Sequence, residues 1–579
     1  MVKRQDKVPS VLESLGTQLI LLTLMAIPAL VYFYCLAGHA INVPMFDDFD
    51  FLQQVYLFDQ ADSIKESLLL LFKQHNEHRM VFNRIIFLLV ESISGEVNFR
   101  TLALCGYLAL PAFLILFYSN FRDQGISPIL FVPIPFILFN FESGGNIFWA
   151  TSVLANYSVL VFGGACFYFL NKNTVRSFTW AMALACAATF THGNGMGVFP
   201  VGLAYLLNQK KYRESIVWLG ATSLVVFLYF YDYTSVQYGG LGIGNSLSEP
   251  GRIVIYFLTF LGSIFSFCHP AAAPVAGTAI FLYFIYLSKS RYYAINAPLY
   301  CFLSFLFLGA LAAALSRSGV GIDQALDSRY KIHSTLMVII VLISAVKLYS
   351  IKTKPGPTLA TGLILGSVFF FGVSCAQNYP KMAKDKESII LSTNQWFMKN
   401  VGLFYPLARK ANEFLVLADA GGHYKFPAKH LNFPASPRTP STTSVYSDCL
   451  NAEKGAFDAY FNILTGKMQT GGSWVRVEGM IRNVSKNESG TALILKSETD
   501  TVIFPTYRHA VPALSIYYNG KPDNHDFLSL FSADALLEGS YQVGLCHAGK
   551  ATFFSMYINR DESRNTSVKV LNKNKPSGE

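Results

Sequence analysis

Uncharged apolar runs of bilayer length recur along this chain, and they limit its fold more than any other feature. From Gly16 to Leu36 there is no charged residue, and roughly 20 apolar residues of α-helix suffice to cross the hydrocarbon core. Lys3, Arg4 and Lys7 precede that run. No small-residue cleavage site follows it, so it reads as a retained first helix with a cytoplasmic N-terminus rather than a signal peptide. Further spans are read at 99–118, 127–141, 148–170, 215–233, 295–316, 332–350 and 357–376. The stretch 178–207 is too long for one crossing, and it is basic at both flanks (Lys172, Arg176; then Lys210, Lys211, Arg213). Equal flanks put both ends on the cytoplasmic side, so a hairpin of two short helices is expected there. The stretch 253–287 reads as an outer half-helix ending near His269-Pro270, followed by one full span. The expectation is a polytopic α-helical membrane protein of about eleven spans, N-terminus inside and tail outside.

Composition agrees. Hydrophobic residues make up 52% of the chain and charged residues 14%, where soluble domains carry roughly 25% charge. A net charge of +10 would suit a nucleic-acid binder. Much of it, however, sits in short loops where it sets topology, so no nucleic-acid partner is expected and the bilayer is. Most of the nine cysteines lie in or beside apolar runs and behave as small hydrophobes. No CxxC pair or Cys/His ligand spacing appears, so no metal framework follows. Cys449 and Cys546 stand apart in the polar tail and could pair in an oxidising compartment.

Residues 1–376 therefore form the transmembrane domain, with a large outer loop at 38–98. That loop holds two amphipathic segments, 62–74 and 79–93, suited to lying in the membrane interface. Residues 377–470 read as a mostly helical linker region, with a further helix at 448–466 and a Pro-rich connection at 434–443. From 471 to 570 the pattern alternates with a period of two, as in Trp474-Val-Arg-Val-Glu and Tyr541-Gln-Val-Gly-Leu. Short alternating strands between turn signals predict a small β-sandwich, making the tail a soluble, extracytoplasmic α+β domain.

Chemistry is sought where ionisable groups meet the apolar runs, because charge beside a bilayer more often serves a substrate than packing. Asp47, Asp48 and Asp50 follow the first span. A carboxylate there can take the proton of an attacking hydroxyl; the bland alternative is a solvated turn capping the next helix. His75, Glu77, His78 and Arg79 form a second group. His78 and Arg79 suit a phosphate, and His75 and Glu77 suit the substrate that goes with it. A third group is Arg317 with Asp323–Lys331. Basic residues on the outer side run against the charge rule, and a lipid phosphate held by Arg329, Tyr330 and Lys331 would explain them; snorkelling from a helix end would too. Weaker substrate-binding candidates are Glu142 and Trp149 at one outer edge, and His192 and Asn194 in the hairpin tip. No metal ligand set is read, although a Mg²⁺ or Mn²⁺ ion among the three aspartates is chemically allowed.

At these residues the chain resembles the C-type (GT-C) glycosyltransferases, membrane enzymes that use sugars carried on polyprenyl phosphate. Asp47-Asp48-Phe-Asp50 matches that superfamily's acidic position after the first helix. His75-Asn-Glu77-His78-Arg79 and Ser328-Arg329-Tyr330 look similar to motifs in bacterial O-antigen glucosyltransferase-like proteins. The resemblance covers roughly residues 15–376. It implies an inverting transfer to a periplasmic glycan or protein acceptor, with Asp47 or Asp48 as base, in the bacterial inner membrane. Two other classes compete. A flippase or transporter of lipid-linked sugars predicts ionisable groups along a mid-helix path, and a membrane acyltransferase predicts a His pair within the spans.

Overall fold

The structure, a computed structural model, describes residues 15–234, 243–267, 269–353, 355–399, 408–425, 453–454, 459–467, 473–481, 491–505, 527–532, 536–547, 550–561 and 566–570. By contacts the chain divides into two units. One comprises Met1–Asn42 with Gln54–Met382, the other Val43–Gln53 with Ala383–Glu579.

The first unit is helical. Among the described residues, eight helices are long and apolar enough to cross a membrane: Gln18–His39, Phe99–Arg122, Ala150–Leu170, Tyr212–Phe230, Ala272–Lys289, Ala297–Val320, Ser328–Lys352 and Pro357–Ala383. This is the make-up of a multi-pass membrane protein. Of about eleven spans expected, the remaining ones fall on shorter elements. At 127–141 the chain forms only a 3₁₀ turn, Pro128–Phe131, and a short helix, Pro133–Leu138. Pro128, Pro133 and Pro135 remove backbone donors there, and six residues at 1.5 Å each reach only about 9 Å. The 178–207 stretch is a pair of helices, Val175–Thr189 and Val198–Asn208, each too short to cross alone. A capping box starts the first of them, with the Thr174 and Ser177 side chains each accepting from the other's backbone N–H.

The 253–287 stretch is a short helix, Pro250–Leu261, then a turn, then the full-length Ala272–Lys289. The two helices cross closely because a Cβ on Gly277 would lie 1.8 Å from the Leu258 carbonyl oxygen; only glycine fits that crossing. Ala150–Leu170 is buried on nearly every side, as a helix apolar all round should be. In the loop after the first span, Ile64–Phe72 and Val81–Ser94 are helical as expected. Ile64, Leu68 and Leu69 on one, and Ile85, Leu89 and Ile93 on the other, face outward. Asp48–Asp59 is also helical, and its residues up to Gln53 belong to the second unit.

Pro357–Lys399 continues unbroken well past the apolar run, and Ala408–Ala420 is also helical. Nine strands follow: β1 (Glu453–Lys454), β2 (Ala459–Lys467), β3 (Ser473–Ile481), β4 (Thr491–Lys496), β5 (Thr501–Pro505), β6 (Phe527–Ser532), β7 (Gly539–His547), β8 (Lys550–Arg560) and β9 (Thr566–Val570). Five of them form an antiparallel sheet in the order β5-β4-β7-β8-β9, with the two-residue β1 parallel to the start of β8. A second sheet has the order β2-β3-β6. The expected helix at 448–466 is thus corrected. Its last part is β2, paired residue for residue with β3 from Ala459↔Ile481 to Lys467↔Ser473, and a Tyr-Phe-Asn-Ile-Leu-Thr run has strong β propensity. Val475 and Val477 of the second sheet share one buried cluster with Leu493, Phe504, Val543 and Leu545 of the first. Cys546 is buried in β7 and disulfide-bonded. Its expected partner Cys449 and the Pro-rich connection lie outside the described residues.

Candidate functional site

The acidic segment starts a helix through a tight turn. Phe46 takes a left-handed φ of 48°, and the Asp48 N–H donates to the Met45 carbonyl at 3.0 Å. The Asp48 side chain is fully buried, and its Oδ2 accepts from the Met45 N–H at 3.1 Å. That reciprocal pair fixes the helix entry. Asp48 therefore positions the turn. Asp47 and Asp50 are half-buried, with a carboxylate oxygen of each within 4.8 Å of the other. Two oxygens so placed can serve as base and neighbour, or as two ligands of a hard cation such as Mg²⁺ or Mn²⁺.

The second group folds as a miniature hairpin. His75 and His78 exchange both backbone hydrogen bonds, at 2.7 and 2.8 Å, with Asn76 at a left-handed φ of 47°. The hairpin is stitched to the end of the Tyr212–Phe230 helix. Gln74 donates to the Thr234 carbonyl and accepts from its N–H, and the Tyr229 hydroxyl donates to the Glu77 carbonyl at 3.2 Å. Arg79 completes the seam. Its Nε donates to the Tyr229 carbonyl and its Nη1 to the Phe72 carbonyl, each at 2.5 Å, while Nη2 donates to the Tyr231 carbonyl. A buried guanidinium that bridges three carbonyls holds the fold together, so the phosphate role expected for Arg79 gives way to a structural one. Arg84 beside it is also buried. Its Nε donates to Gln54 Oε1 at 2.5 Å and its Nη1 to the Leu71 carbonyl at 2.8 Å. Desolvation, with Arg79 adding its charge, pulls Arg84 down to about 10.

His78 joins this hairpin to the tip between Val175–Thr189 and Val198–Asn208. Its ring lies 3.9 Å, centroid to centroid, from that of His192, and its Nδ1 accepts from the Gly193 N–H at 3.4 Å. A Cβ on Gly193 would sit 2.9 Å from that nitrogen, so any larger residue would push the His78 ring aside. His192 Nδ1 accepts from the Asn194 N–H at 3.3 Å, which leaves any proton on Nε2. Burial first, and then the charges of His78, Arg317, His333 and Arg329, hold His192 well below the usual histidine range. The charges that act on it are all positive. Glu77 supplies a carboxylate 3.9 Å from His78 Nε2.

The third group divides. Lys331 is taken up by Glu142, at 2.8 Å with both side chains largely buried. Asn378 donates to the same carboxylate at 2.7 Å and Ser374 at 3.4 Å. This ion pair ties the 140–149 segment to the Ser328–Lys352 and Pro357–Lys399 helices. Neither the substrate role expected for Glu142 nor the phosphate role expected for Lys331 fits a pair so occupied. Arg329 pairs with Asp327 at 3.1 Å and lies over the rings of Trp149, at 5.3 Å, and Tyr330, at 4.9 Å. Trp149 thereby faces a cation, and Tyr330 is buried against Phe260. Burial raises the Asp327 carboxyl above its ordinary range even though Arg329, Arg317 and Lys381 pull it down. Arg317, half-buried at the end of its helix, makes no ion pair or hydrogen bond among the described residues.

One set of side chains thus converges within the helical unit: His78, His192, Arg317, Asp327 and Arg329. What sequence reasoning missed are the hydroxyl neighbours. Tyr256 lies within electrostatic reach of Arg317, Asp327, Arg329 and Tyr330, and Thr259 stands one helical turn further on. The available signal was two hydroxyls three residues apart on an otherwise apolar helix. Comparison of the chain with protein-family models, with curated proteins and with solved structures finds no match. The glycosyltransferase reading therefore rests on the residues themselves.

Proposed function

We propose that this chain is a membrane glycosyltransferase that moves a sugar from a polyprenyl-phosphate donor to an extracytoplasmic acceptor, a surface polysaccharide such as O-antigen or a protein. The observation that supports it is Arg317. An arginine half-withdrawn from water at the end of an apolar helix, with no hydrogen bond or ion pair among the described residues although Asp327 is within its electrostatic reach, suits an anion delivered by the membrane. Arg329 beside the same groups offers a second planar set of donors, and the neutral His192 offers an Nε2–H.

In this reading the donor phosphate docks between Arg317 and Arg329 while its prenyl tail lies along the apolar helices. The acceptor hydroxyl attacks the anomeric carbon from the face opposite the phosphate. As the new C–O bond forms, the old bond to phosphate breaks and its electron pair leaves on the phosphate oxygen. The hydroxyl proton passes to a carboxylate, a role that the resemblance, and not the geometry, gives to Asp47 or Asp48. Phosphate is already a fair leaving group, so positive charge that stabilises the departing oxygen is the larger need. The Cys546 disulfide suits an oxidising compartment such as the bacterial periplasm.

The test is mass spectrometry of surface glycans from cells with and without the protein, followed by Asp47→Asn and Asp48→Asn. A glycan mass shift of one sugar that requires the protein, and that at least one of the two variants abolishes at unchanged protein level, is expected. No glycan difference, or full transfer by the double variant, would overturn the reading.

A further inference from the structure

Beside the arginines lies a patch of polar side chains that the phosphate reading leaves unused. Tyr256, Thr259, Ser263 and Ser318 are each at least nine-tenths buried, yet their hydroxyls have no hydrogen-bond partner among the described residues. The Gln324 Oε1 atom is likewise buried and unpaired. These groups come from four pieces of chain, two before the Ala272–Lys289 helix and two after the Ala297–Arg317 helix, that meet in the fold. The Pro250–Leu261 helix touches the turns at Ser318–Val320 and Ile322–Leu326 and also the Ser328–Lys352 helix, and the turn at Ser263–Phe267 touches the last two of these. The seam is pinned by Ser334, which donates to the Leu261 carbonyl at 2.6 Å and accepts from the Ile264 N–H at 3.2 Å.

Helical serines and threonines usually return their hydroxyl to a carbonyl one turn back, as Thr222, Thr278, Ser304 and Ser316 do in this chain. Thr259 does not. In a low-dielectric interior, unpaired hydroxyls are costly and call for a partner. Tyr256 and Thr259, at i and i+3, share a helix face, and that face meets the charges of Arg317, Asp327 and Arg329. Ser318 follows Arg317 directly.

We propose that these hydroxyls form a subsite for an uncharged polyhydroxyl group, the glycosyl moiety covalently attached to the phosphate that Arg317 and Arg329 hold. The inference rests on the lipid-phosphate reading given above and adds to it which residues recognise the sugar. Tyr256, Ser318 and Thr259 supply donor and acceptor capacity together, as sugar hydroxyls need. A site built to hydrogen-bond hydroxyls rejects ligands that lack them, because its own groups are then left unpaired.

The experiment compares two probes on the full-length chain in lipid nanodiscs: farnesyl phosphate, and farnesyl phosphate bearing glucose, galactose or N-acetylglucosamine. The wild type should bind at least one glycosylated probe roughly tenfold more tightly than farnesyl phosphate. Tyr256→Phe and Ser318→Ala should each erase several-fold of that gain and leave the farnesyl phosphate Kd unchanged. Ser263→Ala serves as the further variant should either fail to fold. Farnesyl phosphate binding with no gain from any of the sugars would overturn the subsite and leave the lipid-phosphate reading standing. So would a gain that survives the hydroxyl variants. Binding of neither probe would overturn both.

Discussion

Two arginines in the helical unit, both candidates for phosphate on sequence grounds, are used in opposite ways. Arg79 is buried and donates to the carbonyls of Phe72, Tyr229 and Tyr231. Arg317 is half-buried and has no hydrogen bond or ion pair among the described residues. The first closes a hairpin onto the end of a distant helix. The second adds a charge with no direct partner to a cluster that holds Arg329, Asp327, His78 and His192. The lesson is that an arginine's residue type names what it could bind, while the number of its donors already taken decides whether it can.

The contrast can be broken most sharply at Arg79. Arg79→Ala would strand three carbonyls and should cost about 3–5 kcal/mol, seen as loss of monodisperse protein on extraction. Arg79→Lys should recover little, since one ammonium cannot span three acceptors in the same geometry. Correct folding with intact activity in Arg79→Ala would return Arg79 to the list of dispensable surface charges.

A somewhat smaller effect is expected at the buried pair. Glu142→Gln should lower the thermal midpoint by leaving Lys331 buried without its counter-charge, a loss of about 3 kcal/mol. Replacing both, as Glu142→Leu with Lys331→Met, should restore most of it. A double variant as unstable as the single one would mean that the pair does more than hold helices together.

The smallest effect concerns pH. Because His192 is held below its unfolded value, the unfolded chain binds more protons near and below about pH 6.5. Its contribution to stability is complete above that value and is lost as pH falls through it. Asp327, raised in the fold, works in the other direction: its contribution is complete below its ordinary value and fades as pH climbs through the raised one. His192→Asn should flatten the stability profile between about pH 5 and 7, by no more than about 1.4 kcal/mol per pH unit. An unaltered slope would place the titration elsewhere.

How much of this was legible in the sequence follows from the range of the forces involved. Gly16–Leu36 and its counterparts announced spans because exclusion of charge from hydrocarbon acts on local composition. The alternation in β3, β7 and β8 was legible for a similar reason, since the two faces of a strand differ within a few residues. The 127–141 run misled because its prolines are apolar in composition and yet cannot continue a helix. The 448–466 run misled because Ala459-Tyr-Phe-Asn-Ile-Leu suits either period until β3 pairs with it. At the site, the acidic turn and the basic rim could be located, but their division of labour could not. Asp48 is buried and accepts from Met45, and Arg79 differs from Arg317 through a carbonyl 150 residues away. The buried hydroxyls carried the weakest signal, because serine and threonine in apolar helices normally satisfy themselves locally.

The central claim is that Arg317 and its neighbours receive a lipid-borne phosphate. Equilibrium binding of farnesyl phosphate to the purified full-length chain, compared with Arg317→Ala at matched ionic strength, tests it directly. A loss of affinity of tenfold or more at unchanged thermal midpoint is the result predicted, and identical affinity for the two proteins would contradict it.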